Sequence, residues 1–151
     1  MLVGVVDIAS ASMNDLALSN LPRACASNIR ASLRKEVYGL AKQQPRIAWK
    51  LVETFLCADK KMANRVFEKS RSESMTFKFA APTGVEEGPV EDINHEFQQL
   101  LPAGRAWEPS VRKEEEDLVI YYSVNDTCWN FFRLRFVDKR WQLVMLGGGC
   151  D

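Results

Sequence analysis

The chain has 151 residues, no formal net charge and 46% hydrophobic residues, which is typical of a single globular domain and excludes a disordered chain. It contains no run of about 18 apolar residues, so we expect no membrane-spanning helix. Residues 1–80 carry 13 basic against 7 acidic side chains and residues 81–126 carry 3 against 11, and with this balance we do not expect nucleic-acid binding.

The N-terminal segment, residues 1–22, shows little periodicity and ends at Pro22. It begins with a short apolar run and contains Ala9-Ser10-Ala11, which is similar to a signal-peptide cleavage site. However, Asp7 interrupts the apolar run and the basic segment of a signal peptide is missing. A shortened export signal stays an open alternative. We expect residues 1–22 to be weakly structured and residues 23–151 to form a single domain.

Helical periodicity dominates the first half of the chain. The first predicted helix covers about Arg23–Lys42, where apolar side chains recur on one face. Gln43-Gln44-Pro45 ends it, because proline lacks the N–H group and clashes with the preceding turn. The second helix begins at Pro45 and either runs to about Val66 or breaks near Asp59. In the second case Asp59 caps a separate helix over Lys60–Lys69.

The middle of the chain mixes strand and helix signals. Met75–Phe79 alternates apolar and polar residues, which predicts a half-buried strand. Pro82–Pro89 is predicted to be a loop, and Val90–Leu101 a short amphipathic helix. A further strand is predicted over Arg105–Arg112, where Pro109 confines it to a sheet edge or a bulge.

The last third of the chain contains three predicted strands, Leu118–Val124, Cys128–Val137 and Trp141–Leu146. Turn-forming residues separate them at Asn125-Asp126 and Asp138-Lys139-Arg140. Strands joined by such short links pair antiparallel. The order of elements predicts an α+β fold, with N-terminal helices packed on a curved antiparallel sheet of about four to six strands.

The four cysteines are far apart in sequence, so no zinc or redox motif is present. We expect Cys25 to be a buried thiol, and Cys57 lies opposite the apolar stripe of its helix. If Asp138-Lys139-Arg140 is a three-residue loop, paired residues lie at equal distances from Lys139. Cys128 and Cys150 satisfy that relation, which predicts a disulfide between them. A two-residue loop would shift this register, as would fraying of Gly147–Gly149, which we interpret as a flexible end.

The chain's C-terminal sequence also carries a family resemblance. Phe132–Val144 (FRLRFVDKRWQLV) resembles the closing strands of the nuclear transport factor two-like superfamily, cone-shaped α+β domains of the cystatin-like type. Pro45–Ala63, with Phe55-Leu56 and Asp59, is similar to their second helix. The resemblance covers roughly residues 24–146. It implies a bent sheet around a pocket without implying a reaction, because members include both enzymes and binding domains.

Catalytic motifs are weak, and we predict no catalytic residue, metal or cofactor. His95 is the single histidine, and the helical periodicity turns it away from the apolar stripe. Enzymes of the resembled superfamily use an inward aspartate with a tyrosine or acidic donor. Asp59 and Asp92 are the candidate bases here, and the candidate donors are Tyr38, Tyr121 and Tyr122. A small isomerase- or dehydratase-like pocket enzyme therefore stays the alternative function.

The leading hypothesis is a non-catalytic module that binds a protein partner or a second copy of itself through the sheet face. One version is a bacterial inhibitor or immunity-type protein that meets a basic enzyme surface with its acidic segments, Glu86–Glu96 and Glu114–Asp117. The cytoplasm is slightly favoured, whereas a Cys128–Cys150 disulfide would indicate the periplasm. The predicted binding residues are Trp107, Glu114, Glu115, Glu116, Tyr121, Trp129, Phe131, Arg133 and Arg135.

Overall fold

The computed structural model describes residues 22–81, 83–89 and 101–150 of the chain. The described helices are α1 (Ser27–Leu40), α2 (Pro45–Cys57) and α3 (Lys60–Ser70). The second predicted helix breaks at Asp59, whose carboxylate Oδ1 accepts a 2.8 Å hydrogen bond from the backbone N–H of Met62. The break, and the capping role of Asp59, are therefore confirmed. Within the described ranges, no helix is long and apolar enough to cross a bilayer.

Six strands form a single open sheet in the order β2-β1-β6-β5-β4-β3. Every neighbouring pair is antiparallel except β1 and β6, which run parallel. The predicted α+β class is confirmed, and the sheet is mostly rather than wholly antiparallel. The strands are β1 (Arg71–Ala81), β2 (Gly84–Pro89), β3 (Trp107–Glu114), β4 (Asp117–Ser123), β5 (Cys128–Val137) and β6 (Arg140–Cys150).

The predicted loop at Pro82–Pro89 is wrong, because Gly84–Pro89 is strand β2 and pairs with Thr76–Ala81 of β1. Nearly all of its residues are exposed at the sheet edge, so the apolar alternation of a half-buried strand is missing. Strand β3 forms the opposite edge, with a register shift between Trp107 and Ser110, and this matches the edge position that Pro109 predicts. The predicted helix Val90–Leu101 and the N-terminal segment lie almost entirely outside the described residues.

The hairpin of β5 and β6 turns through two residues rather than the three that the sequence suggests. Asp138 and Lys139 both have positive φ, of 54° and 63°, as a type I′ turn requires. Val137 therefore pairs with Arg140. A register shift near Arg133 and Leu134 places one extra β6 residue, Val144, between the partners of those two residues. This β-bulge returns the register to the one in which Cys128 faces Cys150.

Two disulfides use all four cysteines, Cys25–Cys57 and Cys128–Cys150. The predicted Cys128–Cys150 bond is confirmed, although the loop length from which it followed is wrong. The predicted free thiol at Cys25 is also wrong. The turn before α1 brings Cys25 to the end of α2, with a Cα–Cα distance of 5.7 Å from Cys57.

Gly147–Gly149 is not a flexible end, since all three glycines are buried inside β6 and pair with both β5 and β1. A Cβ at Gly147 would overlap the carbonyl oxygen of Lys78 in β1. The glycines therefore allow β1 to approach β6 closely, as glycine often does where two backbones meet.

The core lies between the helices and one face of the sheet. Large side chains fill it, including Phe55 of α2 and Phe67 of α3, both no more than 1% exposed. Phe55 meets Phe132 of β5 edge-on, with ring centroids 5.3 Å apart. Tyr122 of β4 packs beside Phe132 at 6.0 Å. These aromatic rings occupy the space between the helices and the centre of the sheet.

Candidate functional site

Strand alternation divides the sheet into two faces. Ile120, Phe132 and Leu146 occupy one cross-strand row and belong to the core under the helices. Tyr121, Phe131 and Gly147 occupy the next row and point to the opposite side. We call that second side the outer face.

Three aromatic rings of the outer face, Tyr121, Trp129 and Phe131, contact one another, and we call them the aromatic platform. Trp129 stacks on Phe131 with centroids 6.0 Å apart and an interplanar angle of 25°. Tyr121 lies 6.1 Å from Trp129 and 5.9 Å from Phe131. Phe131 is only 6% exposed, whereas Trp129 is 38% exposed. Phe131 thus supports the platform, and Trp129 presents it to solvent.

The position of the Trp129 ring depends on Gly149. A Cβ built at Gly149 would lie 2.7–2.9 Å from three ring atoms, Cζ2, Cε2 and Nε1. The ring therefore packs against Gly149 so closely that a Cβ at this position has no room.

Beside the platform, two arginines of β5 bind two carboxylates. Arg133 Nη2 donates to Glu114 Oε2 at 2.7 Å, and its Nη1 donates to Asp117 Oδ2 at 3.3 Å. Arg135 donates to both oxygens of Asp117, each at 2.9 Å. Asp117 is only 2% exposed although it is charged. Two guanidinium groups compensate the burial of its carboxylate.

Tyr121 joins the platform to this ion network, because its hydroxyl donates a 3.0 Å hydrogen bond to Glu114 Oε1. Burial raises the pKa of Tyr121, and the adjacent Glu114 carboxylate raises it further. Hydrogen bonding to Asp117 likewise raises the pKa of Arg135. Tyr121 therefore stays a neutral donor and Arg135 a permanent cation at physiological pH.

Arg112 of β3 lies beside this ion network but is not part of it. Its guanidinium lies 5.1 Å from the centroid of the Tyr121 ring, a cation–π contact. Within the described ranges no carboxylate lies at ion-pair distance from it. Its charge is thus available to a ligand at the rim of the platform.

The structure brings six of the nine predicted binding residues together in the aromatic platform and the ion network beside it. Glu115 and Glu116 form the exposed turn between β3 and β4, and Glu116 lies 3.8 Å from Lys113. Trp107 lies apart from these contacts, since it pairs with Ser123 and the guanidinium of Arg23 lies 5.9 Å from its ring. The six that form the platform and the network are Glu114, Tyr121, Trp129, Phe131, Arg133 and Arg135.

Sequence reasoning missed two residues of this site, Arg112 and Gly149, and it assigned Asp117 to a partner-binding acidic segment rather than to an ion network within the chain. Asp117 carried a signal, since a charged residue that directly precedes a buried strand is a candidate for a paired, buried carboxylate. Arg112 directly follows Val111, a core residue, in β3. Because neighbouring residues of a strand point to opposite faces, Arg112 lies on the face opposite the core. Nothing in the sequence alone marks Gly149 as the seat of a tryptophan ring.

The alternative acid–base pair is not assembled. Asp59 is exposed and caps α3, whereas the Tyr121 hydroxyl binds Glu114. Tyr122 lies in the core, where burial raises its pKa. Tyr38 lies under the guanidinium of Arg34, whose hydrogen bond lowers the pKa of the phenol. Asp92 and His95 lie outside the described residues.

An open groove borders the ion network on its β1 side. Its lining includes the hydroxyl side chains of Ser72, Ser74 and Thr76, together with Arg133 and Arg135. The groove and the platform therefore share one continuous outer face. In the described part of the chain, no group of three His, Cys, Asp or Glu side chains is arranged to hold a metal ion.

Comparison with known proteins finds similar folds only. No family model matches the chain, and no curated protein matches it. An NTF2-like protein from Cytophaga hutchinsonii is 13% identical over 72% of this chain and 99% of its own, with a TM-score of 0.45. An NTF2-like protein of unknown function from Methylobacillus flagellatus is 9% identical over 87% of this chain and 99% of its own, with a TM-score of 0.45.

An uncharacterized protein with a cystatin-like fold from Caulobacter vibrioides is 8% identical over 70% of this chain and 88% of its own, with a TM-score of 0.47. Two of these descriptions are NTF2-like and the third is a cystatin-like fold, and at such identities the similarity concerns the fold alone. With TM-scores below 0.5, the similarities carry no argument about activity or partner.

Proposed function

We propose that this protein is a binding module that recognises a protein partner through the aromatic platform and the arginines beside it. The observation that carries the proposal is Trp129, whose ring packs closely against Gly149 and is nevertheless 38% exposed. Tryptophan, tyrosine and arginine are the residues most often found at the energetic centres of protein interfaces. All three types meet here on adjacent strands.

Contacts within the chain hold the side chains of the site in place before a partner arrives. Its side chains project from strands, and Asp117 holds the guanidinium groups of Arg133 and Arg135 in place. Binding then immobilises few additional rotamers, so less conformational entropy is lost on association. A pre-organised surface of this kind supports recognition of a folded partner.

The filled interior supports the same proposal. A pocket enzyme of this fold needs inward polar groups around an apolar cavity. Within the described ranges, the centre of the space between helices and sheet instead holds the rings of Phe55, Phe67, Tyr122 and Phe132. Recognition is therefore assigned to the outer face rather than to the interior.

The charges of the site indicate what the partner presents. Glu114 and Asp117 are neutralised by arginines of the same chain. Two of the four acidic residues of Glu114–Asp117 are therefore not available to a basic partner. Among the residues that the structure describes, Arg112 lies beside the platform without an ion-pair partner. A partner that places a flat apolar side chain on Trp129 and a carboxylate near Arg112 is complementary to this surface. A module with this surface can act as an inhibitor or immunity-type protein that binds and blocks an enzyme. Glu115 and Glu116 then lie at the rim of the interface.

The test is comparative capture from the native source on three immobilised forms of the chain. These are the wild type, Trp129→Ala, and the control Ile47→Ala, which truncates an apolar residue of α2 that is 49% exposed. A partner should be retained by the wild type and the control and lose about 30-fold or more in affinity for Trp129→Ala. Retention of every captured protein by Trp129→Ala would overturn the proposal, provided that its thermal unfolding matches that of the control.

A further inference from the structure

The Cys128–Cys150 disulfide lies directly beside the aromatic platform. Cys128 is the first residue of β5 and Cys150 the last residue of β6, and their Cα atoms are 4.1 Å apart. The next cross-strand pair is Trp129 with Gly149. The covalent bond is therefore one residue away from the contact that seats the tryptophan ring.

The end of β6 is held by backbone pairing with β1 and β5 but by no side chain of its own glycines. Gly147–Gly149 offers no side chain for packing, and glycine loses more conformational freedom on ordering than any other residue. Ends of strands are also where local opening is easiest. Without the disulfide, Gly149 would be held by backbone pairing with Trp129 and Ala80 alone. The seat of Trp129 would then open with the end of the strand.

The second disulfide has a different place in the fold. Cys25–Cys57 joins the turn before α1 to the last residue of α2, and both cysteines pack against the helical side of the core. It constrains the helices, whereas Cys128–Cys150 constrains the outer face. Two variants, each lacking one of these disulfides, can therefore be compared directly.

We propose that the Cys128–Cys150 disulfide is a positioning element of the binding site, so that the platform is complete only in the oxidised chain and the protein acts where disulfides persist. The bond forms when two thiols release two protons and two electrons to the disulfide of a dithiol oxidoreductase, which is reduced in exchange. Disulfides persist in exported proteins and are rare in a reducing cytosol. The inference depends on the proposed function only in treating the platform as the site that binds a partner.

The seating of Trp129 is tested by 19F NMR of the full chain labelled with 5-fluorotryptophan. The chain has four tryptophans, and the variant Trp129→Phe identifies the Trp129 signal. In the variant Cys128→Ser/Cys150→Ser, the chemical shift of the Trp129 signal should move toward that of free fluorotryptophan by more than its linewidth. The signals of the other three tryptophans should not move. In the control Cys25→Ser/Cys57→Ser the Trp129 signal should not move. An unmoved Trp129 signal in the first variant would overturn the proposal.

Two further measurements keep the proposal falsifiable if the serine variant fails to fold. The variant Cys128→Val/Cys150→Val replaces the bond by an apolar cross-strand pair that retains the hairpin, and its Trp129 signal should move in the same direction. Protein from the native source should react with iodoacetamide only after reduction, and alkylation of Cys128 or Cys150 without reductant would refute the oxidised state. Neither readout involves a partner, so either can fail independently of the proposed function.

Discussion

Arg135 donates two hydrogen bonds of 2.9 Å to the two carboxylate oxygens of Asp117, and so joins the last part of β5 to the first residue of β4 across the outer face. The same carboxylate accepts a third bond from Arg133 at 3.3 Å. A single buried acid thus fixes both arginines of the proposed site. Its removal should affect stability and site geometry together.

We predict that Asp117→Ala lowers the free energy of unfolding by about 2–3 kcal/mol. Breaking a fully buried ion pair typically destabilises by about 3–5 kcal/mol, and the loss here is smaller because the side chain of Arg135 is half exposed. Urea denaturation measures the change. The control Glu116→Ala, on the exposed turn, should leave the midpoint nearly unchanged. Equal midpoints for the two variants would contradict the prediction.

The same substitution at two glycines should have opposite effects. Gly147→Ala places a methyl group against the Lys78 carbonyl of the neighbouring strand, and such overpacking destabilises by about 1–3 kcal/mol or more. Gly39 lies inside α1 with no atom within 4 Å of its Cβ position, so Gly39→Ala should stabilise by about 0.5–1 kcal/mol. Thermal unfolding measures both. A Gly147→Ala variant as stable as the wild type would mean that the close approach of β1 and β6 is wrong.

Alkaline pH should weaken the fold partly through Tyr121. Its pKa is raised in the folded protein by burial and by Glu114, so the unfolded chain releases this proton more readily. The stabilising contribution is fully present below the ordinary tyrosine pKa of about 10 and is lost as the pH rises through the higher folded pKa. The variant Tyr121→Phe should lose less unfolding free energy above about pH 10 than the wild type does. Identical pH profiles would argue against the Tyr121–Glu114 contact.

Asp59 should behave as a helix cap and not as a catalytic base. Asp59→Ala removes the acceptor of the Met62 N–H bond and should lower the unfolding free energy by about 0.5–2 kcal/mol. Asp59→Ser retains an acceptor oxygen and should recover most of that loss. Chemical denaturation of the three proteins compares them. If serine were no better than alanine, the capping role would be refuted.

The β5–β6 hairpin shows how a correct prediction can rest on a wrong premise. The Cys128–Cys150 pairing followed from a three-residue loop, but the turn has two residues, and a bulge at Val144 restores the register. The sequence contains the turn residues Asp138-Lys139-Arg140 but no signal for the bulge. Bulges depend on how two strands fit their neighbours, and here β6 must pair with β1 as well as with β5.

The missed elements have a similar origin. Strand β2 has the exposure of a loop because it is an edge strand, so its pairing with β1 is visible only in three dimensions. The second disulfide joins Cys25 to Cys57, 32 residues apart, and this pairing requires the packing of α1 against α2. Helical periodicity alone places Cys57 opposite the apolar stripe and cannot show what meets it there.

Local sequence determined the helices and the C-terminal strands. It also placed Arg133 and Arg135 on the face of β5 opposite to Phe132 and Leu134. Both results follow because periodicity and alternation are properties of a few consecutive residues. Tertiary structure decided the burial of Asp117 under two arginines and the seating of Trp129 on Gly149. Both depend on the register between strands, which is set by long-range packing and by bulges rather than by any short segment.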